Sequence, residues 1–306
     1  MTDDFTISRR RVLQSLVAAG ILPSSVLAAE QPMLSRAIPG TTETIPVIGL
    51  GTARTFDVPL DETEITTRRS IVDLLIGKGG RLIDTSPMYG NAEAMLGAVL
   101  QDSDRRQSSF IATKVWTNGR TAGERQMGRS MELLGTDSID LMQVHNLRDF
   151  DTQFATIRRW QEEGRLRYNG VTTSRQSAFK ELAELMRRNR PDFVQLNYSL
   201  GEPEAEETLL PLAEELGIAI LVNRPFVKGA LFRTVRNTPL PGWAAEFEAQ
   251  SWGQFFLKFI VSHPAVTCVI PATTKPQHML DNLGAGFGAM PDRAMRKKMA
   301  EWIAAL

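Results

Sequence analysis

Strict alternation of short β-type runs with amphipathic helical stretches narrows the folds open to this chain more than any other feature. From Ala37 onward, strand candidates fall at 47–50, 81–84, 110–114, 139–145, 166–171, 193–196, 219–222 and 268–270. Helical candidates lie between them at 62–78, 92–101, 122–134, 152–163, 177–190, 204–216 and 251–262. Their apolar residues recur at helical spacing, as in Ile71, Leu74 and Leu75, or Leu182, Leu185 and Met186. Gly77, Gly135, Gly164 and Gly217 stand where C-caps belong. Such alternation implies a parallel sheet with right-handed crossovers, and eight units are the number that closes a barrel. The expected architecture is therefore α/β, a single (β/α)8 TIM barrel. The competing open, doubly wound sheet normally brings Gly-x-Gly-x-x-Gly after its first strand. Here Gly49-Leu50-Gly51 is followed by Thr52-Ala53-Arg54, so that fingerprint fails. Gly284-Ala285-Gly286-Phe287-Gly288 follows a helical stretch and reads as a flexible C-terminal loop.

Charge and cysteine content remove whole classes of function. Lys and Arg together number 35, as do Asp and Glu, and there are three His, which argues against a nucleic acid or other polyanion as partner. Cys268 is the one cysteine, so no intrachain disulfide forms, and ligands for a Cys/His metal site are lacking. Stability has to come from burial in a large core.

Residues 1–29 differ from the rest, carrying Arg9, Arg10 and Arg11 against Asp3 and Asp4. The run 12–29 has no charge but is broken by Gln14, Ser15, Pro23, Ser24 and Ser25, and a bilayer span needs about 20 apolar residues. The segment resembles a secretory signal, with a basic start, a short apolar stretch and small residues in Val26-Leu27-Ala28-Ala29. Ser8-Arg9-Arg10-Arg11-Val12-Leu13-Gln14 further resembles the twin-arginine (Tat) export motif, with Val12 and Gln14 in place of the usual Phe and Lys. The expectation is export by the Tat machinery to the periplasm, without stable membrane insertion, leaving residues 30–306 as the barrel domain. An uncleaved membrane anchor is the alternative, opposed by Pro23 and the serines.

In a barrel the chemistry sits at the carboxyl ends of the strands. Asp84, Lys114 and His145 end the second, third and fourth candidates, spaced 30 and 31 residues apart, so all three should ring one mouth. Tyr89 joins them from Asp84-Thr85-Ser86-Pro87-Met88-Tyr89-Gly90. An unperturbed phenol, with a pKa of about 10, is a sluggish acid at neutral pH. An adjacent ammonium should lower that pKa, while a carboxylate beyond it keeps the lysine charged. His145 can donate a hydrogen bond to a substrate carbonyl and fix its direction. Met88 and Trp116 are placed to line a substrate pocket, and Trp243 to serve as its lid or as ordinary packing. The acidic run 202–207 reads as a helix-terminus complement or a solvated face.

On these residues the chain resembles the aldo/keto reductase family. Further matching segments are Ile48-Gly49-Leu50-Gly51-Thr52, Ile111-Ala112-Thr113-Lys114, Asp140-Leu141-Met142-Gln143-Val144-His145, Gln195-Leu196-Asn197-Tyr198 and Ile270-Pro271-Ala272-Thr273. The resemblance implies a barrel that binds NADPH across its mouth and reduces a small aldehyde or ketone, with Tyr89 as general acid and no metal. It also implies a hairpin closing the barrel floor, which 33–45 with Pro39-Gly40 as its turn can supply. Gly51, Thr52, Thr172, Gln195, Arg224, Thr273, Lys275 and Asn282 are the implied cofactor contacts, NADP(H) being preferred and NAD(H) still open.

The cofactor positions depart from the family at both ends: Ala272 and His278 stand where basic residues often bind the 2′-phosphate, leaving Lys275 as the nearest cation. Thr172-Thr173 replaces Ser-Asn, and Asn223 stands where an aromatic residue usually stacks on the nicotinamide. These departures keep open a noncatalytic nucleotide-binding or redox-sensing module on the same scaffold. A Schiff-base aldolase using Lys114 is the third reading.

Overall fold

The computed structural model describes residues 31–306; the expected export signal, 1–29, lies outside the described residues. A short antiparallel hairpin comes first, β1 (Ser35–Ala37) and β2 (Thr44–Pro46), pairing Ser35 with Pro46 and turning through Gly40 at φ +77°. Eight parallel strands follow in sequence order: β3 (Leu50–Gly51), β4 (Leu82–Asp84), β5 (Phe110–Val115), β6 (Ile139–His145), β7 (Leu166–Thr172), β8 (Phe193–Asn197), β9 (Ala219–Asn223) and β10 (Val266–Val269). Parallel bridges Ile48↔Val269 and Gly51↔Ala272 join the first of these to the last, so the sheet closes on itself. Residues Pro32–Leu306 make one compact unit, and among the described residues no helix is long and apolar enough to cross a membrane.

The crossovers are α1 (Glu62–Gly77), α2 (Ala92–Val99) with α3 (Ser103–Ser108), α4 (Arg120–Leu134), α5 (Phe150–Glu162), α6 (Phe179–Asn189), α7 (Leu209–Leu216) and α8 (Ala230–Thr234) with α9 (Trp252–Val261). Two more, α10 (Pro276–Gly284) and α11 (Arg293–Ala304), complete the chain. Their ends follow local chemistry. Asp61, Ser251 and Asp292 each accept a backbone N–H at an N-terminus, whereas Gly135 and Gly217 end α4 and α7 in the left-handed conformation that glycine takes without penalty.

Alternation along the strands sorts the core into two layers. Ile83, Ile111, Met142, Val144, Val194 and Leu196 point outward into the helix layer. Leu82, Phe110, Ala112, Leu141, Phe193 and Leu221 point inward, where Ile38 and Ile45 of the hairpin plug the floor as expected. Glu43 ties that plug to the barrel through Arg167, at 2.5 Å, and the Tyr168 hydroxyl, at 2.9 Å. The next inward positions toward the carboxyl ends are polar: Asp84, Lys114, Gln143, Gln195 and Asn223. An apolar floor under a polar mouth is thus a property of the period-2 pattern itself.

Where α2 crosses α4 the backbones touch. A Cβ at Gly97 would run into the Leu133 carbonyl, whereas one at Gly128, also mid-helix, would meet nothing within 4 Å. Gly97→Ala is therefore expected to destabilise by about 1–3 kcal/mol, and Gly128→Ala to stabilise by about 0.5–1 kcal/mol. Melting temperatures of the two variants that move in the same direction would contradict this packing.

The Gly284–Gly288 segment is not the free loop its composition suggested. Lys258, fully buried on α9, donates to the Phe287 and Ala289 carbonyls at 2.6 and 2.9 Å, and Glu248 accepts from the Ala289 N–H at 3.0 Å. Trp243 likewise packs against Phe247 and Phe255 at tilted angles and edge-on to Trp302, so it packs a core instead of hanging over the mouth.

Candidate active site

Asp84, the last residue of β4, is the hub of the mouth. Lys114 donates to its Oδ2 at 2.6 Å, and Gln195 and Gln143 donate to its Oδ1 at 2.7 and 3.2 Å. Lys114 is completely buried, donates a second time to the Thr85 carbonyl at 2.7 Å, and lies beside the Tyr89 ring. Burial opposes its charge, but Asp84 and then Tyr89 outweigh that, and its pKa lies above that of an ordinary lysine. Behind it, buried Glu93 accepts from Thr113 at 2.6 Å and from Ser130 at 3.1 Å, fixing β5 one residue before the lysine. Burial, against those two hydrogen bonds, holds the Glu93 carboxyl above the usual range.

Tyr89 arrives on a short loop whose course is tightly specified. Its N–H bonds the Ser86 carbonyl at 3.0 Å, and its carbonyl accepts from Ala92 as α2 begins. Gly90, at φ +58°, lies against Asp57, where any Cβ would collide with the carboxylate. The Lys114 Nζ lies 5.0 Å from the Tyr89 ring centre. The phenol departs from expectation: burial raises its pKa more than Lys114 lowers it, Asp84 adds to the rise, and the net shift is upward. The buried ring loses more hydration as phenolate than one already paired ammonium returns. Tyr89 is thus protonated at neutral pH.

His145 ends β6 and faces Tyr89 edge-on, ring centres 6.1 Å apart and planes at 89°. Burial and then the Lys114 charge lower its pKa from 6.5 to about 3, so it is neutral throughout the physiological range. Between a neutral imidazole and a protonated phenol, one oxygen atom can accept from both.

Tyr89 and His145 open on a cleft of about 660 Å³ whose lining also includes Gly51, Thr172, Gln195, Asn223 and Arg224. The Gln195 amide is fully engaged: it donates to Asp84 and to Gln143, and its oxygen accepts from Thr172 at 3.0 Å and Asn223 at 3.3 Å. Asn223 also donates to the Thr173 carbonyl at 3.3 Å, and its buried Oδ1 has no partner among the described residues. The polar side chains of Thr172, Gln195 and Asn223 in the cleft lining suit a carboxamide group even without the stacking ring.

Arg224 bridges three loops, donating to the Ser174 carbonyl and to Glu202, each at 2.8 Å, while Asn197 donates to Glu202 at 2.7 Å. Glu206 pairs with Arg296 of α11, so the acidic run binds specific arginines and is not merely solvated. The other residues singled out, Thr52, Thr273, Lys275, Asn282, Met88 and Trp116, are not among those that line the cleft. Thr52 is fully buried and donates to the Asp84 carbonyl at 3.0 Å. Thr273 accepts from the Lys275 N–H at 3.1 Å in the turn that starts α10, Lys275 is exposed, and Asn282 is buried farther along that helix. Met88 is 43% exposed next to Tyr89, and Trp116 carries the Arg148 guanidinium 4.2 Å from its ring centre. Sequence reasoning assigned no role to Gln143, Ser86 or Glu93. The signal for Gln143 is its place two residues before His145, hence on the same inward face.

The family model described as "Aldo/keto reductase family" matches residues 47–297. The chain is 27% identical over 238 residues to methylglyoxal reductase YeaE of Escherichia coli, covering 75% of this chain and 82% of that one. It is 28% identical over 237 residues to the NADH-specific methylglyoxal reductase of Escherichia coli, covering 67% and 71%. Among solved structures, an aldo-keto reductase from Klebsiella pneumoniae in complex with NADPH superposes with a TM-score of 0.73 at 21% identity, over 89% of this chain and 96% of that one.

Proposed function

The chain belongs to the aldo/keto reductase family, and on that premise we propose that it is an exported NADP(H)-dependent oxidoreductase reducing aldehyde or ketone carbonyls to alcohols. The observation that carries this reading is the buried Asp84–Lys114–Tyr89 relay facing a neutral His145 across an open cleft. A substrate carbonyl oxygen accepts hydrogen bonds from the Tyr89 hydroxyl and the His145 ring, which aims the carbonyl carbon at the cofactor side of the cleft. When bound, the nicotinamide supplies the hydride. As negative charge grows on the substrate oxygen, Tyr89 releases its proton to it, and Lys114 offsets the phenolate left behind. Asp84 keeps Lys114 charged through the cycle. No metal is needed.

The cofactor would lie with its carboxamide against Asn223, Thr172 and Gln195, cross Gly51 and Arg224, and reach Thr273, Lys275 and Asn282 with its adenosine end. NADP(H) is preferred in this reading because Lys275 is exposed, with no ion pair among the described residues, and offers a cation for a 2′-phosphate; the NADH-specific relative keeps NAD(H) as the comparison to run. Asn223→Leu should weaken nucleotide affinity about tenfold, the order of one hydrogen bond. Fluorescence titration with NADPH and NADH measures this without turnover, and unchanged affinity would remove Asn223 from the site. The two Escherichia coli relatives make methylglyoxal the first substrate to try.

Export rests on Arg9–Arg11, the uncharged run after them and the small residues before position 30. The Tat route moves folded proteins, so the enzyme would load its nucleotide in the cytoplasm and cross with it. Protein purified from the periplasm of its native cell should release NADP(H) on denaturation. Protein confined to the cytoplasm, or periplasmic protein that is empty and unable to bind nucleotide, would overturn this reading.

The noncatalytic alternative draws on Asn223 and is separated by turnover. The aldolase reading fares worse, because a Lys114 that is fully buried, hydrogen-bonded to Asp84 and Thr85 and shifted upward has no neutral amine to offer.

A further inference from the structure

Ser86 lies inside the loop that delivers Tyr89, is fully buried, and has its hydroxyl 3.2 Å from Nδ1 of His145. The same hydroxyl accepts the Met88 N–H at 3.2 Å; Pro87, with no N–H of its own, lets the turn bring that donor into reach. A hydroxyl has one proton to give. Were Nδ1 protonated, the Ser86 oxygen would accept from both neighbours, and its own proton would have no acceptor among the described residues. Were Nδ1 bare, every group would be satisfied: Met88 donates to Ser86, and Ser86 donates to Nδ1. In a fully buried position the second arrangement wins, because an orphaned hydroxyl proton costs about 1–3 kcal/mol.

We propose that Ser86 is a positioning residue that fixes the tautomer of His145, keeping Nδ1 unprotonated so that Nε2 carries the proton into the cleft. The Nε2 atom has no partner among the described residues, and His145 lines the cleft, so the N–H it bears is the one available to a substrate carbonyl. A single serine thus links the two sides of the site: its backbone carbonyl holds the Tyr89 turn, and its side chain sets the proton on the imidazole opposite. With the wrong tautomer His145 would present a lone pair to the carbonyl oxygen and repel it. This role presupposes the reductase chemistry proposed above only for its effect on rate; the tautomer is a property of the resting protein.

The test is nitrogen NMR of the imidazoles in the 15N-histidine-labelled protein. With three His in the chain, His145→Gln identifies the signal. The wild type should give the Nε2–H tautomer. Ser86→Ala, which removes one oxygen, should give a mixture of both tautomers and lower kcat/KM for carbonyl reduction about three- to tenfold, with nucleotide affinity unchanged. Ser86→Thr, which keeps the hydroxyl, should restore the single tautomer and the rate. An Nδ1–H tautomer in the wild type, or an unmixed Nε2–H signal in Ser86→Ala, would overturn the proposal. If the tautomers behave as stated but no variant reduces any carbonyl, the role of Ser86 stands and the reductase reading falls.

Discussion

Tyr89→Phe should lower kcat for carbonyl reduction by roughly 100- to 10,000-fold, the range for loss of a positioned proton donor, while nucleotide affinity stays within about twofold of wild type. The substitution keeps the ring that packs against the buried core and faces His145 edge-on, removing the hydroxyl alone. The upward pKa shift of Tyr89 adds a second signature. A donor that stays protonated works at low and neutral pH, so the wild-type rate should fall only as pH climbs through the raised phenol pKa. In the other direction His145 becomes charged only near pH 3, so no acid limb belonging to it should appear between pH 5 and 8. A limb near the ordinary histidine value of 6.5 would mean that His145 is more hydrated than its burial allows.

Lys114→Met should strongly destabilise the fold. It leaves the Asp84 carboxylate buried, 2% exposed, with Gln143 and Gln195 as its remaining donors. Removing one partner of a buried ion pair costs about 3–5 kcal/mol, because the other charge is stranded. Adding Asp84→Asn to Lys114→Met removes the stranded charge, so the double variant should be more stable than Lys114→Met alone. Denaturant unfolding of the two single variants and the double one measures this. A double variant less stable than Lys114→Met would mean that the carboxylate is held by the glutamines and not by the lysine. Neither variant should reduce carbonyls.

Much of this was legible in the sequence. Eight β-type runs alternating with helices gave the barrel, because inward and outward residues alternate along each strand and helical faces repeat at their own period. Asp84, Lys114 and His145 were recognisable since their spacing equals one βα unit, and Tyr89 because it follows Asp84 within one loop. What escaped depends on sums over three dimensions. The direction of the Tyr89 shift is a contest between burial and Lys114, and spacing cannot weigh those. For Glu202 and Glu206 the sequence offers only a helix-terminus complement or a solvated face, because Arg224 and Arg296, 22 and 90 residues away, are brought to them by the closed barrel. The Gly284–Gly288 segment looked loose because Lys258, which pins it, sits on another helix. Gln143, Ser86 and Glu93 are ordinary residue types whose meaning comes from what they touch.

The central claim is that this mouth reduces carbonyls with Tyr89 as the proton donor. It is tested most directly by mixing the purified barrel with NADPH and a panel of small aldehydes, ketones and ketoaldehydes, methylglyoxal among them, and following nucleotide absorbance and product together. The account predicts NADPH oxidation matched by an equal amount of alcohol with at least one carbonyl, and its loss in Tyr89→Phe. Tight NADPH binding with no oxidation by any carbonyl, or equal turnover by wild type and Tyr89→Phe, would contradict it.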